Sequence, residues 1–222
     1  ADLCLAGRDA DALSRIAADA RVRSGRPAVP ERFDAREVET HEAFLDACSA
    51  HFGGFDGVVV CHGAMVEQAL AEEQIEPALA MFDVNVTGTV SLLERIAGRF
   101  EAGRFAAGGF LVALGSVAGD RGRRRNYLYG ATKAALATVL AGQRVRLAPL
   151  RVCVTEVRPG PVDTRMTFGR SLPGTASPER VARDVLRAVR RRRGVVYTPW
   201  PWRGVMWVVR WLPAGVVARL DR

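Results

Sequence analysis

Short apolar runs alternate with stretches of helical period along the whole chain. DLCLAG (2–7), GVVVC (57–61), GGFLVAL (108–114) and RVCVTEV (151–157) are compact and rich in β-branched or aliphatic residues. Their apolar character is nearly continuous, which marks strands buried on both faces of a parallel sheet. Shorter strands are predicted around 28–33 and at VVY (195–197). Between them, Leu13, Ile16 and Ala17 share one helix face, and Gly25 stops that helix. Further helices are predicted over 37–52, over 72–99 as one long element with Pro77 near its start, and over 126–147. Another runs over 177–193, with Ser177 as N-cap and Pro178 at the first helical position. Repeated β-α alternation predicts an α/β fold of three layers, a parallel sheet covered by helices on both faces. No repeat or linker interrupts it. We therefore expect one domain over 1–198, followed by an apolar tail rich in Trp and Arg over 199–222.

Composition narrows the picture without deciding it. The chain has 222 residues, 49% hydrophobic and 25% charged, enough for one domain with a sizeable core. Net charge is +8, but the arginines are spread along the chain and no nucleic-acid-binding motif is visible, so no nucleic-acid partner is expected. Cys4, Cys48, Cys61 and Cys153 lack CxxC spacing and read as free thiols of a reducing, cytoplasmic setting. His41, His51 and His62 form no ligand cluster, so no metal site is expected. No signal peptide and no bilayer-spanning apolar run is present, and the strand-like opening at Ala1 reads as an incomplete N-terminus.

One residue stands apart. Of 32 Lys+Arg, 32 − 1 = 31 are arginine, and the single lysine, Lys133, follows Tyr129 at helical spacing in NYLYGATKAAL. Arginine is a planar fork; lysine is a compact charge on a flexible stem, so this position calls for an ammonium. Ser116 lies just past a strand in LGSVAG, and Asn85 lies in DVNVTGTV within the long middle helix. Strand C-terminal ends are where open α/β sheets bind ligands. A ketone accepting hydride builds charge on its oxygen and needs a proton donor. Tyrosine has an ordinary pKa of about 10. An ammonium about 4 Å away at an effective dielectric near 20 interacts by roughly 4 kcal/mol, enough to bring the phenol toward working pH. The Ser116 hydroxyl can stabilise the same oxygen.

The strings GSVAG, YGATK, RPGPVDT, DVNVTG and FDA together resemble the short-chain dehydrogenase/reductase family over essentially 1–198. The resemblance implies a Rossmann-like, doubly wound sheet and an NAD(P)(H)-dependent oxidoreductase acting on a ketone or secondary alcohol. It implies Tyr129 as acid/base, Ser116 as carbonyl partner, and Lys133 also on the nicotinamide ribose. Asn85 would keep a helix distortion and a relay water. Pro159, Gly160, Val162 and Thr164 would line the cofactor, as would Gly63, and Asp34 would meet the adenine. Arg8 sits where a 2′-phosphate is bound, favouring NADP(H) over NAD(H) without closing off the latter. A homodimer or homotetramer is implied. Two departures stand out. Val60-Cys61-His62-Gly63 replaces the family's Asn-Asn-Ala-Gly, and the first strand with its glycine-rich loop is lacking.

Three features leave alternatives open. RGRRR (121–125) could hold an anionic substrate group or be a solvated loop or subunit contact. RRRR (190–193) ends a helix, where cations suit the macrodipole, and reads as structural or membrane-facing. Trp200, Trp202, Trp207 and Trp211 could serve a peripheral contact at the inner membrane face or pack against protein. GDRGRRRNYLYGATKAAL and VVYTPWPWR look like reductases of decaprenylphosphoryl-2-keto-ribose, which would make the substrate lipid-linked. A catalytically silent binding module of the same fold and a membrane-surface adaptor are the competing readings. His62 is assigned no role, and Tyr127 is expected to pack or line the pocket.

Overall fold

Every strand predicted from an apolar run forms, and all pair in parallel. The structure, a computed structural model, describes residues 1–167, 169 and 173–220. β1 (Leu3–Gly7) pairs with β2 (Ala28–Arg32) in the register Leu3↔Ala28. β3 (Gly57–Val60), β4 (Phe110–Leu114), β5 (Cys153–Pro159) and β6 (Val195–Thr198) form a second sheet in that order. Its registers run Gly57↔Phe110, Phe110↔Cys153 and Glu156↔Val195. Among the described residues no ladder joins β1 to β3. The two halves nevertheless share one core, in which Phe33 and Leu45 cluster with Val60, Leu93, Ile96 and Leu111. This is the expected Rossmann-like α/β architecture.

The helices begin and end where local chemistry directs. α1 (Ala10–Ser24) is capped by Asp9, whose carboxylate accepts from the Ala12 amide at 2.8 Å, and it closes on Gly25 at φ 63°. α2 (His41–Phe52) covers β2. The predicted long helix over 72–99 is broken instead into α3 (Gln68–Glu73), α4 (Glu76–Phe82), a π-turn over Asp83–Gly88 and α5 (Thr89–Glu101). Pro77 lacks an amide hydrogen and fits only a first turn, so it starts α4. The π-turn presses on the loop after β2: a Cβ on Gly88 would lie 1.9 Å from the Ala35 carbonyl oxygen. α5 then buries Leu92, Leu93, Ile96, Ala97 and Phe100 along one face.

α6 (Tyr127–Arg146) carries Leu136 and Leu140 into the core, and α7 (Pro178–Arg190) starts on Ser177 as predicted. The tail is the part the periodicity missed. It folds into α8 (Trp202–Trp211) and α9 (Ala214–Leu220), and its last two residues lie outside the described ones. α8 buries Met206 and packs near β6, while Trp207 and Trp211 stay 68% and 78% exposed. Among the described residues no helix is long and apolar enough to cross a membrane.

Candidate active site

The site is assembled at the C-terminal edge of the second sheet. The Gly115 amide donates to the Val157 carbonyl at 2.8 Å, extending the β4–β5 ladder and setting Ser116 at its rim. Ser116 then opens a 3₁₀ turn (Val117–Asp120), its Oγ accepting from the Ala118 amide at 3.1 Å. Two glycines let this turn sit directly on α6. A Cβ on Gly119 would lie 2.8 Å from the Lys133 carbonyl carbon, and one on Gly130 would lie 2.7 Å from the Ala118 carbonyl oxygen. The two short strings thus interlock through mutual backbone contact, which fixes Ser116 against the face of α6 that carries Tyr129 and Lys133.

Within that frame the Ser116 hydroxyl lies near the Tyr129 phenol and favours its ionised form. Lys133, 6% exposed, donates to the Leu114 carbonyl at 3.0 Å, with its Nζ 5.7 Å from the centre of the Tyr129 ring. Asn85 sits in the π-turn. Its Oδ1 accepts from the Ala64 amide at 2.7 Å, and its Nδ2 donates to the Ala64 carbonyl at 2.8 Å and to Thr132 Oγ1 at 3.1 Å. The Thr132 hydroxyl donates in turn to the Tyr129 carbonyl at 2.8 Å. Asn85 therefore ties the loop after β3 to the helix bearing Tyr129. Gly63 closes the group: a Cβ there would lie 3.4 Å from both Asn85 Oδ1 and Lys133 Nζ.

The electrostatics differ from the expected acidified phenol. Burial holds Tyr129 above its ordinary value, against the opposing pull of the nearby Ser116 hydroxyl. Burial also lowers Lys133 to about 8, while the charge of Glu156 works to raise it. The reason is desolvation, nearly complete at Lys133 and partial at the half-buried Tyr129, and the ammonium is turned to a backbone carbonyl rather than to the phenol.

The remaining predicted residues lie at the same strand ends. Arg8 is exposed just past β1. Asp34 is buried and engaged by Arg36, which donates from its amide at 3.0 Å and its Nη2 at 2.9 Å, and these bonds hold Asp34 at about 2. Asp34, expected at the adenine, is thus also hydrogen-bonded to Arg36. Pro159 ends β5, and Gly160 donates its amide to the Thr198 carbonyl at 3.0 Å. Val162 bridges to Ala176, and the exposed Thr164 donates its amide to Thr167 Oγ1 at 3.2 Å. Among the described residues no group of His, Cys, Asp and Glu could hold a metal.

A family model described as short chain dehydrogenase matches residues 1–171. The chain belongs to that family. It is 35% identical over 223 residues to an uncharacterised oxidoreductase of Mycobacterium tuberculosis (strain ATCC 25618 / H37Rv), covering 100% of this chain and 88% of the relative. A Staphylococcus aureus (strain N315) oxidoreductase is 29% identical over 205 residues, 88% of this chain and 83% of its own. Among solved structures, a 3-oxoacyl-[acyl-carrier protein] reductase from Brucella melitensis in complex with NAD superposes with a TM-score of 0.78 at 24% identity, over 88% and 85% of the two chains. An alcohol dehydrogenase from Thermococcus sibiricus complexed with 5-hydroxy-NADP gives 0.74 at 23% identity, over 88% and 83%. These two share its fold.

In this short-chain dehydrogenase several residues of the site were not legible from spacing. His62 was given no role, yet its ring lies 5.7 Å from Phe33, its Nε2 bonds Thr89 Oγ1 at 2.9 Å, and burial together with the Lys133 charge lowers it to about 4. It is a neutral wall of the site. Glu156, 2% exposed in β5, is the carboxylate beneath Lys133. Its neighbour Gly115 leaves room for it, since a Cβ there would lie 2.9 Å from a Glu156 oxygen. A charged pair at Glu156 and Arg158 inside a buried strand was the available signal.

Proposed function

We propose that this chain is an NAD(P)(H)-dependent oxidoreductase interconverting a ketone and a secondary alcohol. The observation that carries the reading is the Ser116 hydroxyl brought beside the Tyr129 phenol and a buried lysine at the end of a parallel strand. The residues suit a nicotinamide nucleotide. Lys133 spends one N–H on Leu114 and has two more to give, and Gly63, lacking a side chain, approaches its Nζ closely. Bound there, a nicotinamide would supply or accept hydride. Tyr129, held protonated at neutral pH, gives its proton to the carbonyl oxygen. Ser116 donates a hydrogen bond to that oxygen and orients it. Lys133 would hold the ribose hydroxyls through the N–H groups not spent on Leu114. Asn85 holds the loop and helix in register.

The finer readings rest on arginines and aromatics. Arg8 and Arg36 flank Asp34, an arrangement that favours a 2′-phosphate and thus NADP(H), with NAD(H) the weaker ligand. A cavity of about 390 Å³ between Arg121, Arg123 and Arg124 and the apolar face of α9 at Ala214, Val217 and Ala218 supports a substrate with an anionic head and an apolar chain. Exposed Trp207 and Trp211 support a peripheral membrane contact, consistent with a cytoplasmic enzyme working at the inner membrane face. Homodimer or homotetramer assembly follows from the family.

The central test is Tyr129→Phe, assayed by NADPH oxidation with phenanthrenequinone as a carbonyl probe. Loss of general acid catalysis predicts a fall in kcat of about 10²–10⁴. Retention of most turnover refutes the reading. Arg8→Ala is expected to raise KM for NADPH about tenfold and leave KM for NADH unchanged, as the loss of one charge-assisted contact. An equal effect on both nucleotides would remove Arg8 from the phosphate site.

A further inference from the structure

Asp120 ends the turn that begins at Ser116, and its side chain is 1% exposed. Three donors meet on it from distant parts of the chain. Arg158 Nη1 reaches it from β5 at 2.5 Å, Tyr197 Oη from β6 at 2.9 Å, and Arg210 Nη2 from α8. Arg158 also forks onto both oxygens of Glu156 at 2.7 Å. Two buried carboxylates are thus matched by two guanidiniums, one of them supplied by a helix ninety residues further along the chain. The tie is doubled, because Arg121, next to Asp120, donates to the Arg210 carbonyl at 2.8 Å.

The other end of the same helix rests on the other wall of the site. Gly160, in the loop after β5, lies so close to Trp202 that a Cβ would come within 2.1 Å of its indole nitrogen. Between these two ends α8 buries only Met206 fully and leaves Trp207 and Trp211 in solvent. A ten-residue helix with one fully buried side chain is held mainly by its contacts to the two loops it bridges.

We propose that α8 is a positioning element of the active site, and that Arg210, acting through Asp120, fixes the turn from which Ser116 presents its hydroxyl. Asp120, Arg158 and Arg210 are positioning residues in this scheme; none touches the reacting atoms. The proposal rests on the reading of Ser116 as the carbonyl partner. Its consequence is that the C-terminal segment tunes the chemical step rather than merely covering the fold. Small misplacements of a group that orients substrate are costly in rate.

The test uses Arg210→Gln and Arg210→Lys in the full-length protein, with Ser116→Ala as the reference. Hydrogen exchange of the backbone over 116–121 should speed up at least about tenfold in Arg210→Gln, while α6 and β5 keep their protection. With NADPH and phenanthrenequinone, kcat should fall about tenfold with KM for NADPH unchanged, and Arg210→Lys should restore part of it. Unchanged exchange over 116–121, or wild-type kcat in Arg210→Gln, overturns the proposal. A lower melting temperature with kcat intact does so as well, because it leaves α8 only a structural part. If Ser116→Ala itself keeps full turnover, the functional reading of the site fails separately, and the exchange experiment still judges whether α8 orders the turn.

Discussion

Lys133→Met should make this protein inactive and more stable at once. Lys133 is 6% exposed, and burial brings its pKa from 10.5 down to about 8. That difference, at 1.36 kcal/mol per unit, puts the cost of keeping the ammonium charged in the fold at about 3 kcal/mol. The sign follows from proton counting. Below about pH 8 both folded and unfolded chains hold the proton, and the full cost is present. Between about 8 and 10.5 the unfolded chain holds more protons than the folded one, so folded stability rises with pH and the cost disappears. Methionine has similar length and no charge. It strands the Leu114 carbonyl, which returns about 1 kcal/mol, whereas Glu156 keeps its fork from Arg158. The net gain at pH 7 is about 2 kcal/mol, a rise in melting temperature of about 4–8 °C for a chain of this size. Thermal melts without nucleotide at pH 7 and pH 10 are the assay. The gain should be large at pH 7 and nearly gone at pH 10. A variant that melts at or below the wild-type temperature at pH 7, or whose gain is the same at both pH values, refutes the reasoning.

Two further outcomes follow from the same geometry. Glu156→Gln removes the group that raises Lys133, whose surroundings also include His62 and Tyr129, so the alkaline limb of the kcat/KM profile should move to lower pH; a profile that does not move shows that Lys133 need not be charged. Gly130→Ala places a Cβ 2.7 Å from the Ala118 carbonyl and should destabilise the fold by about 1–3 kcal/mol while loosening the Ser116–Tyr129 pair; an unchanged melt with unchanged kcat would mean that the turn does not need this close seat.

The apolar runs and their spacing were enough to determine the parallel strands and most of the helices. These are local properties: a strand buried on both faces must be apolar throughout, and a helix must show its period and its caps. The unique Lys133 beside Tyr129 was legible because a chain with 31 arginines exposes any exception. What the chain could not show locally was decided by contact between distant segments. A helix distortion at Asn85 was expected, but the seat of that π-turn on the loop after β2 depends on Gly88 meeting Ala35, fifty-odd residues away. The direction of the Tyr129 shift follows from burial, which only packing sets. The use of Arg36 by Asp34 and of Arg210 by Asp120 depends on which of many similar arginines the fold brings near each carboxylate. Hydrophobic order is written along the sequence at short range, whereas charge pairing acts through space and becomes definite only once the backbone has closed.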